Sequence, residues 1–273
     1  AATSTLGMSA LVYGLVRAAE TSWGDAVALG SFAAAALMLA AFVTIERRAS
    51  QPITPLRLFA SRQRVGAYAA RLLMVGAMFG MFFYLTQFLQ GAEGYSALKA
   101  GLSFLPVTVT IFAMVKVVPR LLGRIGQELT LVGGLVLALV GLLWLSRIST
   151  TTDYWTGIAL PMLLIGAGMG LAFTPLTQAA IAGVDHHDAG AASGLVNVFQ
   201  QLGSTIGIGL LVTVFAAASE GSGAKALTEG VPSTITVSAA LIALALAVVL
   251  GVMRPRLRSI RSQIRPAAVA AGE

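Results

Sequence analysis

Apolar runs long enough to cross a bilayer, about 20 residues each, recur along nearly the whole of this 273-residue chain with only short polar connections between them. We read about eight of them, at 3–18, 26–45, 66–89, 101–118, 129–145, 154–176, 191–218 and 234–253. Hydrophobic residues make up 57% of the chain and charged ones 11%, where a soluble domain carries about 25% charged residues. A water-facing surface cannot be built from that supply, so the solvent is lipid. A helix satisfies its own backbone hydrogen bonds in hydrocarbon, and the expected fold is an all-α membrane protein of about eight transmembrane helices. The first run is short for a hydrocarbon core of about 30 Å. Together with a start at Ala1 that has no basic leader and no initiator Met, it reads as the opening of a piece of something longer.

The formal charge of +7 invites a nucleic-acid reading, but the arginines fall in clusters separated by membrane-length apolar stretches and make no continuous basic face. Their placement speaks instead to orientation, because cytoplasmic loops carry the excess of Arg and Lys. One side collects Arg47, Arg48, Arg57, Arg62 and Arg64, then Arg120 and Arg124, then Arg254, Arg256, Arg258, Arg261 and Arg265. The other has Arg17, Lys99, Arg147 and Lys225, diluted by Glu20, Asp25, Glu93, Asp153, Glu220 and Glu229. Counting spans from any cluster gives the same sidedness, which places the Ala1 end and the C-terminus in the cytoplasm. The segment 46–65 is a basic linker containing Pro52 and Pro55. Thr54 followed by Pro55 is a helix-start pair, with either a short headgroup helix bearing Ile53, Leu56 and Phe59 on one side or a solvated loop to follow. The expected division is 1–45, a helix pair; 46–65, the linker; 66–253, a six-helix bundle; and 254–273, a basic cytoplasmic tail.

Enzyme chemistry finds no foothold. Ser193 and Gly194 lie in an Ala-Ala-Ser-Gly run, but the only histidines, His186 and His187, sit just upstream and leave no later base. Adjacent histidines with Asp185 and Asp188 on a short loop lack the i, i+4 spacing of a zinc site, so no metal is expected and Asp188 reads as a cap for the following helix. With no cysteine in the chain, thiol chemistry is absent. Arg71 and Lys116 are the two charges within spans, where a charge is by default a functional candidate; both lie within about two turns of a helix end, and the favoured reading is that their long side chains snorkel to the interface. No Asp or Glu falls inside a span. In the seventh run Ser193, Asn197, Gln200, Gln201 and Ser204 repeat at helical spacing, a stripe that must meet another helix or a water-filled cavity. The third run carries Gly76, Phe79, Gly80, Phe83, Gln87 and Gln90 on one face, and the sixth carries Gly166, Gly170, Phe173, Thr174 and Thr177. Small and polar faces of this kind serve close helix packing or cavity lining equally.

Several of these blocks, in order, resemble the fourteen-helix drug:proton antiporter branch of the major facilitator superfamily. They are Gly94-Tyr95-Ser96-Ala97-Leu98-Lys99-Ala100-Gly101-Leu102 with Leu105-Pro106, then Gly168-Met169-Gly170-Leu171-Ala172-Phe173-Thr174-Pro175-Leu176. The most specific is Ala189-Gly190-Ala191-Ala192-Ser193-Gly194-Leu195-Val196-Asn197, closed by Gln201-Leu202-Gly203. The resemblance covers nearly the full chain. It implies a central helix pair followed by the second six-helix bundle, with Glu46, Pro52 and Leu56 at the junction and the first six-helix bundle, which holds the family's membrane-embedded acid, lying outside this chain. It also implies a multi-pass protein of the plasma (inner) membrane that exports amphipathic or aromatic drug-like compounds by alternating access, with a proton gradient as energy source and no cofactor. The third and sixth spans would line the cavity, with Phe79, Phe83, Tyr84, Gln87, Met169, Phe173 and Thr174 touching substrate, since aromatic and Met surfaces bind varied ligands by area. Gating and helix packing fall to Gly101, Pro106, Arg124, Gly126, Pro175, Ser193, Gly194, Asn197, Gln201 and Gly203. The run Pro119-Arg120-Leu121-Leu122-Gly123-Arg124-Ile125-Gly126 is similar to the family's cytoplasmic gating loop, but Gly123 stands where an Asp often precedes the Arg. Gln200 likewise stands where an Arg often precedes Gln201.

Two rival readings are an uptake transporter for a sugar or organic anion, which predicts several buried charges facing a cavity, and a non-transporting membrane fragment whose spans only associate. The arginine clusters yield a first test. A Cys introduced at Ser61 is expected to be shielded from impermeant thiol reagents in intact cells and one at Ser222 to react; the reverse pattern would overturn the orientation.

Overall fold

The computed structural model describes residues 2–49 and 55–253, and the readings placed on Pro52, Ile53, Thr54 and the tail 254–273 lie outside them. Every regular element among the described residues is helical. In chain order these are α1 (Ala2–Glu20), α2 (Ala26–Arg48), α3 (Arg62–Gln87), α4 (Ala97–Leu102), α5 (Leu105–Leu145), α6 (Leu160–Ile181), α7 (Ala189–Ala218) and α8 (Ala224–Val248). Single π-type turns extend α3 over Phe88–Ala92, lead into α6 over Trp155–Ala159 and extend α8 over Val249–Met253. Six helical stretches are long and apolar enough to cross a membrane. One of them, Ala97–Leu145, runs for 49 residues and is broken at Gly126, whose φ of 83° and ψ of 170° no helix contains.

That break makes two spans. Val107 and Ala138 would lie about 46 Å apart on a straight helix, yet Val107 packs on Gly166 and Ala138 on Gly168 of the same short stretch of α6. The chain therefore reverses at Gly126, a left-handed position that costs little only without a Cβ, and counting both halves of α5 with α1 gives the eight helices expected. The segment 119–126 is helical up to this reversal, so what reads in the sequence as a gating loop is a helix end and one tight corner. Two boundaries also move outward: α3 begins at Arg62 and α8 at Ala224.

Glycine sets how the bundle closes. Lipid competes with side chains for contact, so helices in membranes associate through close backbone approach at small residues. A Cβ on Gly134 would stand 2.7 Å from the Gly168 carbonyl, and one on Gly166 would stand 2.6 Å from the Val107 carbonyl. Thus α6 is gripped by both halves of α5. On the other side of the bundle Gly76 of α3 faces Gly203 and Gly207 of α7, and Gly203 rests directly on the Leu72 backbone. Tyr68 stacks on Phe199 at 5.1 Å and Tyr84 on Phe215 at 5.0 Å, two further α3–α7 contacts. Between these helices lies a core of Met74, Met81, Leu85, Leu135, Met162 and Ile165, each at most 1% exposed.

The α1–α2 pair is a hairpin laid against α7. Arg17 donates to the Asp25 carboxylate at 3.2 Å across its turn, and the Ala28 N–H, followed by Arg17, holds that carboxyl below the usual carboxylate range. Trp23 Nε1 donates to Thr213 Oγ1 of α7 at 3.1 Å. At the opposite end a clamp fixes the linker. Leu56–Phe59 forms a 3-10 turn with Leu58 buried, and Arg57 donates from Nε and Nη2 to both oxygens of Asp188 at 2.7 and 2.8 Å. Asp188 consequently makes no side-chain cap for α7; a two-toothed guanidinium holds it instead of a backbone N–H. Arg64 adds bonds to the carbonyls of Leu58, Arg57 and Ala182, and the Tyr68 hydroxyl donates to Ala180.

Two predictions follow from this packing. Gly203→Ala is expected to destabilise the bundle by about 1–3 kcal/mol, the usual range for overpacking, read as a lower melting temperature in detergent. Gly133→Ala, whose Cβ would meet nothing within 4 Å, is expected to hold or raise that temperature, because alanine favours helix. The clamp is checked by Asp188→Ala, which is expected to speed limited trypsin cleavage in the 57–64 region relative to wild type; equal rates would count against it.

Candidate functional site

Aromatic side chains of α3 and α6 are left exposed by the bundle's own packing. Phe79 and Phe83 of α3 are 41% and 42% exposed and Phe173 of α6 is 40% exposed, with Gln87 and Thr174 also exposed beside them. The turn spacing of Phe79, Phe83 and Gln87 puts all three along one side of α3. Their glycine neighbours diverge from them: Gly76 and Gly80 are buried against α7, so the stripe read in the sequence divides into a packing edge and an open edge. Tyr84 and Met169 fall on the inner side, each 4% exposed within the core. Of the residues expected to touch substrate, Phe79, Phe83, Gln87, Phe173 and Thr174 are exposed, whereas Tyr84 and Met169 are buried.

Behind that open edge sits a charge. Arg71 is 3% exposed and does not snorkel. Nine residues inside α3, about 14 Å from its start, its side chain turns across the bundle. There Nη1 donates to Thr177 Oγ1 of α6 at 2.8 Å and Nη2 donates to Gln200 Oε1 of α7 at 2.8 Å. The guanidinium carbon lies 4.1 Å from the centre of the Phe173 ring, a cation–π arrangement that offsets part of the lost hydration. Nε is buried with no hydrogen-bond partner. The helical neighbours of Arg71, namely Ala67, Tyr68, Met74 and Val75, are all buried. That apolar company at i±3 and i±4 marks a core-facing position, and it was the signal available in the sequence; distance from the helix end was the weaker guide. Lys116, by contrast, is exposed.

The polar stripe of α7 also divides. Gln200 meets Arg71, whereas Asn197 and Gln201 turn toward the α1–α2 hairpin and line a cleft of about 1130 Å³ with Met8, Tyr13, Phe42 and Phe199. Ser193 and Gly194 are exposed at the start of α7, and Ser204 bonds back to the Gln201 carbonyl at 2.8 Å. Among the expected gating residues, Gly126 makes the reversal in α5, Pro106 stands at the start of α5 and Gly101 is exposed in α4. The Pro175 carbonyl accepts from Gln127 Nε2 at 2.9 Å, which ties α6 to the residue after the reversal. Arg124 is exposed and forms no ion pair among the described residues. The same residues hold no cluster of three or more potential metal ligands.

Comparison with known proteins places these features. The chain is 35% identical over 224 residues to the cephamycin export protein of Amycolatopsis lactamdurans, covering 81% of this chain and 46% of that one. It is 36% identical over 211 residues to the puromycin resistance protein of Streptomyces alboniger, covering 76% and 42%. The lincomycin resistance protein of Streptomyces lincolnensis is 34% identical over 204 residues, covering 75% and 42%. The chain thus spans less than half the length of these relatives. The sequence profile described as Major Facilitator Superfamily matches residues 2–208, and with its apolar, reversing helices this chain is a multi-pass membrane protein belonging to that superfamily.

Proposed function

We propose that this chain is the C-terminal part of a proton-coupled multidrug efflux transporter, made of the central helix pair and the second six-helix bundle. The observation that carries the reading is that Phe79, Phe83 and Gln87 of α3 and Phe173 and Thr174 of α6, aromatic and polar side chains on helices that also supply the buried core, are left exposed. An exposed aromatic and amide surface inside a membrane is suited to a partner bundle across a cavity, and the greater length of the relatives supports a first six-helix bundle as that partner. The printed functions of the relatives, export of cephamycin and resistance to puromycin and lincomycin, support drug-like cargo.

Transport in this reading makes and breaks no covalent bond. The two bundles rock about a site between them, and aromatic side chains bind amphipathic cargo by area and repack for different shapes. The acidic side chains of the spanning helices, Glu46 of α2, Glu128 of α5 and Glu229 of α8, lie within two turns of a helix end or of the reversal at Gly126, which supports placing the proton-exchanging group in the first bundle, with the proton gradient as energy source. The arginine clusters support a cytoplasmic C-terminus in the plasma membrane. Of the buried ionisable residues among those described, Glu46 lies at the end of α2 and Asp188 is paired with Arg57 just before α7, which leaves Arg71 deep in the bundle, fewer than the several expected of a sugar or organic-anion uptake carrier.

The test is accumulation of fluorescent dyes by cells carrying the intact transporter, with and without a proton gradient. Gradient-dependent exclusion of dye is expected. Phe83→Ala is expected to change which dyes are excluded by several-fold, within the range of one aromatic contact, while membrane levels hold. If expression collapses and selectivity among surviving molecules is unchanged, the α3 edge is packing and not pocket.

A further inference from the structure

Three ion pairs of Arg or Lys with a carboxylate occur among the described residues, Arg17 with Asp25, Arg57 with Asp188 and Lys225 with Glu229, and His187 Nδ1 lies 3.4 Å from Asp188 Oδ1. Arg71 is in none of them. It is a guanidinium that stays protonated at any physiological pH, 3% exposed, held only by the neutral oxygens of Thr177 and Gln200 and by the face of Phe173. A charge at this depth is costly unless it is paired or serves a pathway, and an apolar side chain of the same length would fill the space without that cost.

We propose that Arg71 is a cargo-selecting residue that receives a carboxylate of acidic amphipathic cargo, a specificity that rests on the efflux reading and narrows it. Three features fit a visiting anion better than a permanent one. Thr177 and Gln200 supply neutral acceptors that hold the guanidinium while no anion is present, which a standing ion pair would not need. Nε is left over, buried and unbonded, so a two-pronged acceptor finds a fork with one tooth already free. The ring over the guanidinium belongs to Phe173, 40% exposed on the open edge, so one aromatic side chain separates the charge from the surface that meets cargo. Rotation of that ring presents the guanidinium to the open side, and the apolar body of the cargo then lies along Phe79 and Phe83. In exchange for the anion Arg71 releases Gln200 Oε1, which links occupancy of the site to the contact between α3 and α7.

The test uses the intact transporter in proteoliposomes with an imposed proton gradient and two probes of equal chain length, a dansyl-labelled aliphatic acid and the matching dansyl-labelled amine. Arg71→Gln is expected to lower the ratio of acid to amine transport roughly ten- to a hundredfold, the loss of a charge-assisted hydrogen bond. Arg71→Lys is expected to restore part of that ratio, since it keeps the charge and loses the fork. Equal loss of both probes at equal membrane levels overturns the proposal and assigns Arg71 to packing or to a carboxylate of the first bundle. An unchanged ratio overturns it as well, and so does a wild-type protein that moves the amine alone. A wild-type protein that moves neither probe counts against the efflux reading, and Arg71 is then decided by binding. Energy transfer from tryptophan to dansyl should report acid binding to purified wild-type chain that Arg71→Gln weakens by the same factor, and equal binding by the two proteins overturns the proposal.

Discussion

Everything in this molecule depends on solving backbone hydrogen bonding and helix association in a solvent that offers neither hydrogen bonds nor a hydrophobic effect. Lipid leaves helices as the form in which a run of apolar residues can satisfy itself, and lipid tails are as apolar as leucine, so helices must find another reason to adhere. Here the reason is backbone proximity. Gly134 against Gly168, Gly166 against Val107 and Gly76 against Gly203 and Gly207 bring main chains closer than any side chain would permit. The cost of glycine in a helix, about 1 kcal/mol relative to alanine, is recovered as dispersion contact along the full seam. The six-helix bundle is therefore held by its smallest residues, and the large ones are free to be placed for other ends.

That freedom explains why the open edge is aromatic. Phe79, Phe83 and Phe173 are exposed on helices whose closest approaches, α3 to α7 and α6 to both halves of α5, are made at glycines. A helix with a glycine edge and an aromatic edge can be rigid on the first and adaptable on the second. The hairpin of α1 and α2 is anchored differently, by the polar contact of Trp23 with Thr213 at its turn, while the Arg57–Asp188 pair ties the following linker turn to the start of α7. Between those contacts the hairpin stands off α7 and leaves the cleft lined by Asn197 and Gln201.

Much of this was legible from residue order. Apolar length and the arginine clusters give the helix count, and the one place where secondary structure hides it, the unbroken 105–145 stretch, is resolved by Gly126, a residue whose φ of 83° only the three-dimensional path reveals. The glycines of α3, α6 and α7 announce close packing, but sequence cannot say that Gly76 and Phe79 part company three residues apart, because that depends on which neighbour occupies which side. Tyr84 illustrates the limit: it follows Phe83 directly, yet a turn of about 100° per residue carries it onto Phe215 of α7, buried, while Phe83 stays exposed. Asp188 reads as a cap because its position before α7 permits one, and is not, because a linker arginine 131 residues distant reaches it first.

The misreading of Arg71 carries the most physical content. Depth along a helix axis measures how far a side chain must travel to water, but burial is decided by azimuth, and an arginine whose i±3 and i±4 neighbours are all apolar has no lateral route out. Having no route, it must be met inside, and α6 and α7 each supply one neutral oxygen at 2.8 Å. Two neutral acceptors and an aromatic face stabilise a guanidinium without cancelling its charge, so the field it casts toward the open edge survives. In a low-dielectric medium that field acts over a longer range than in water. The same three residues that make Arg71 tolerable are therefore the ones that keep it electrostatically visible to whatever lies against Phe173.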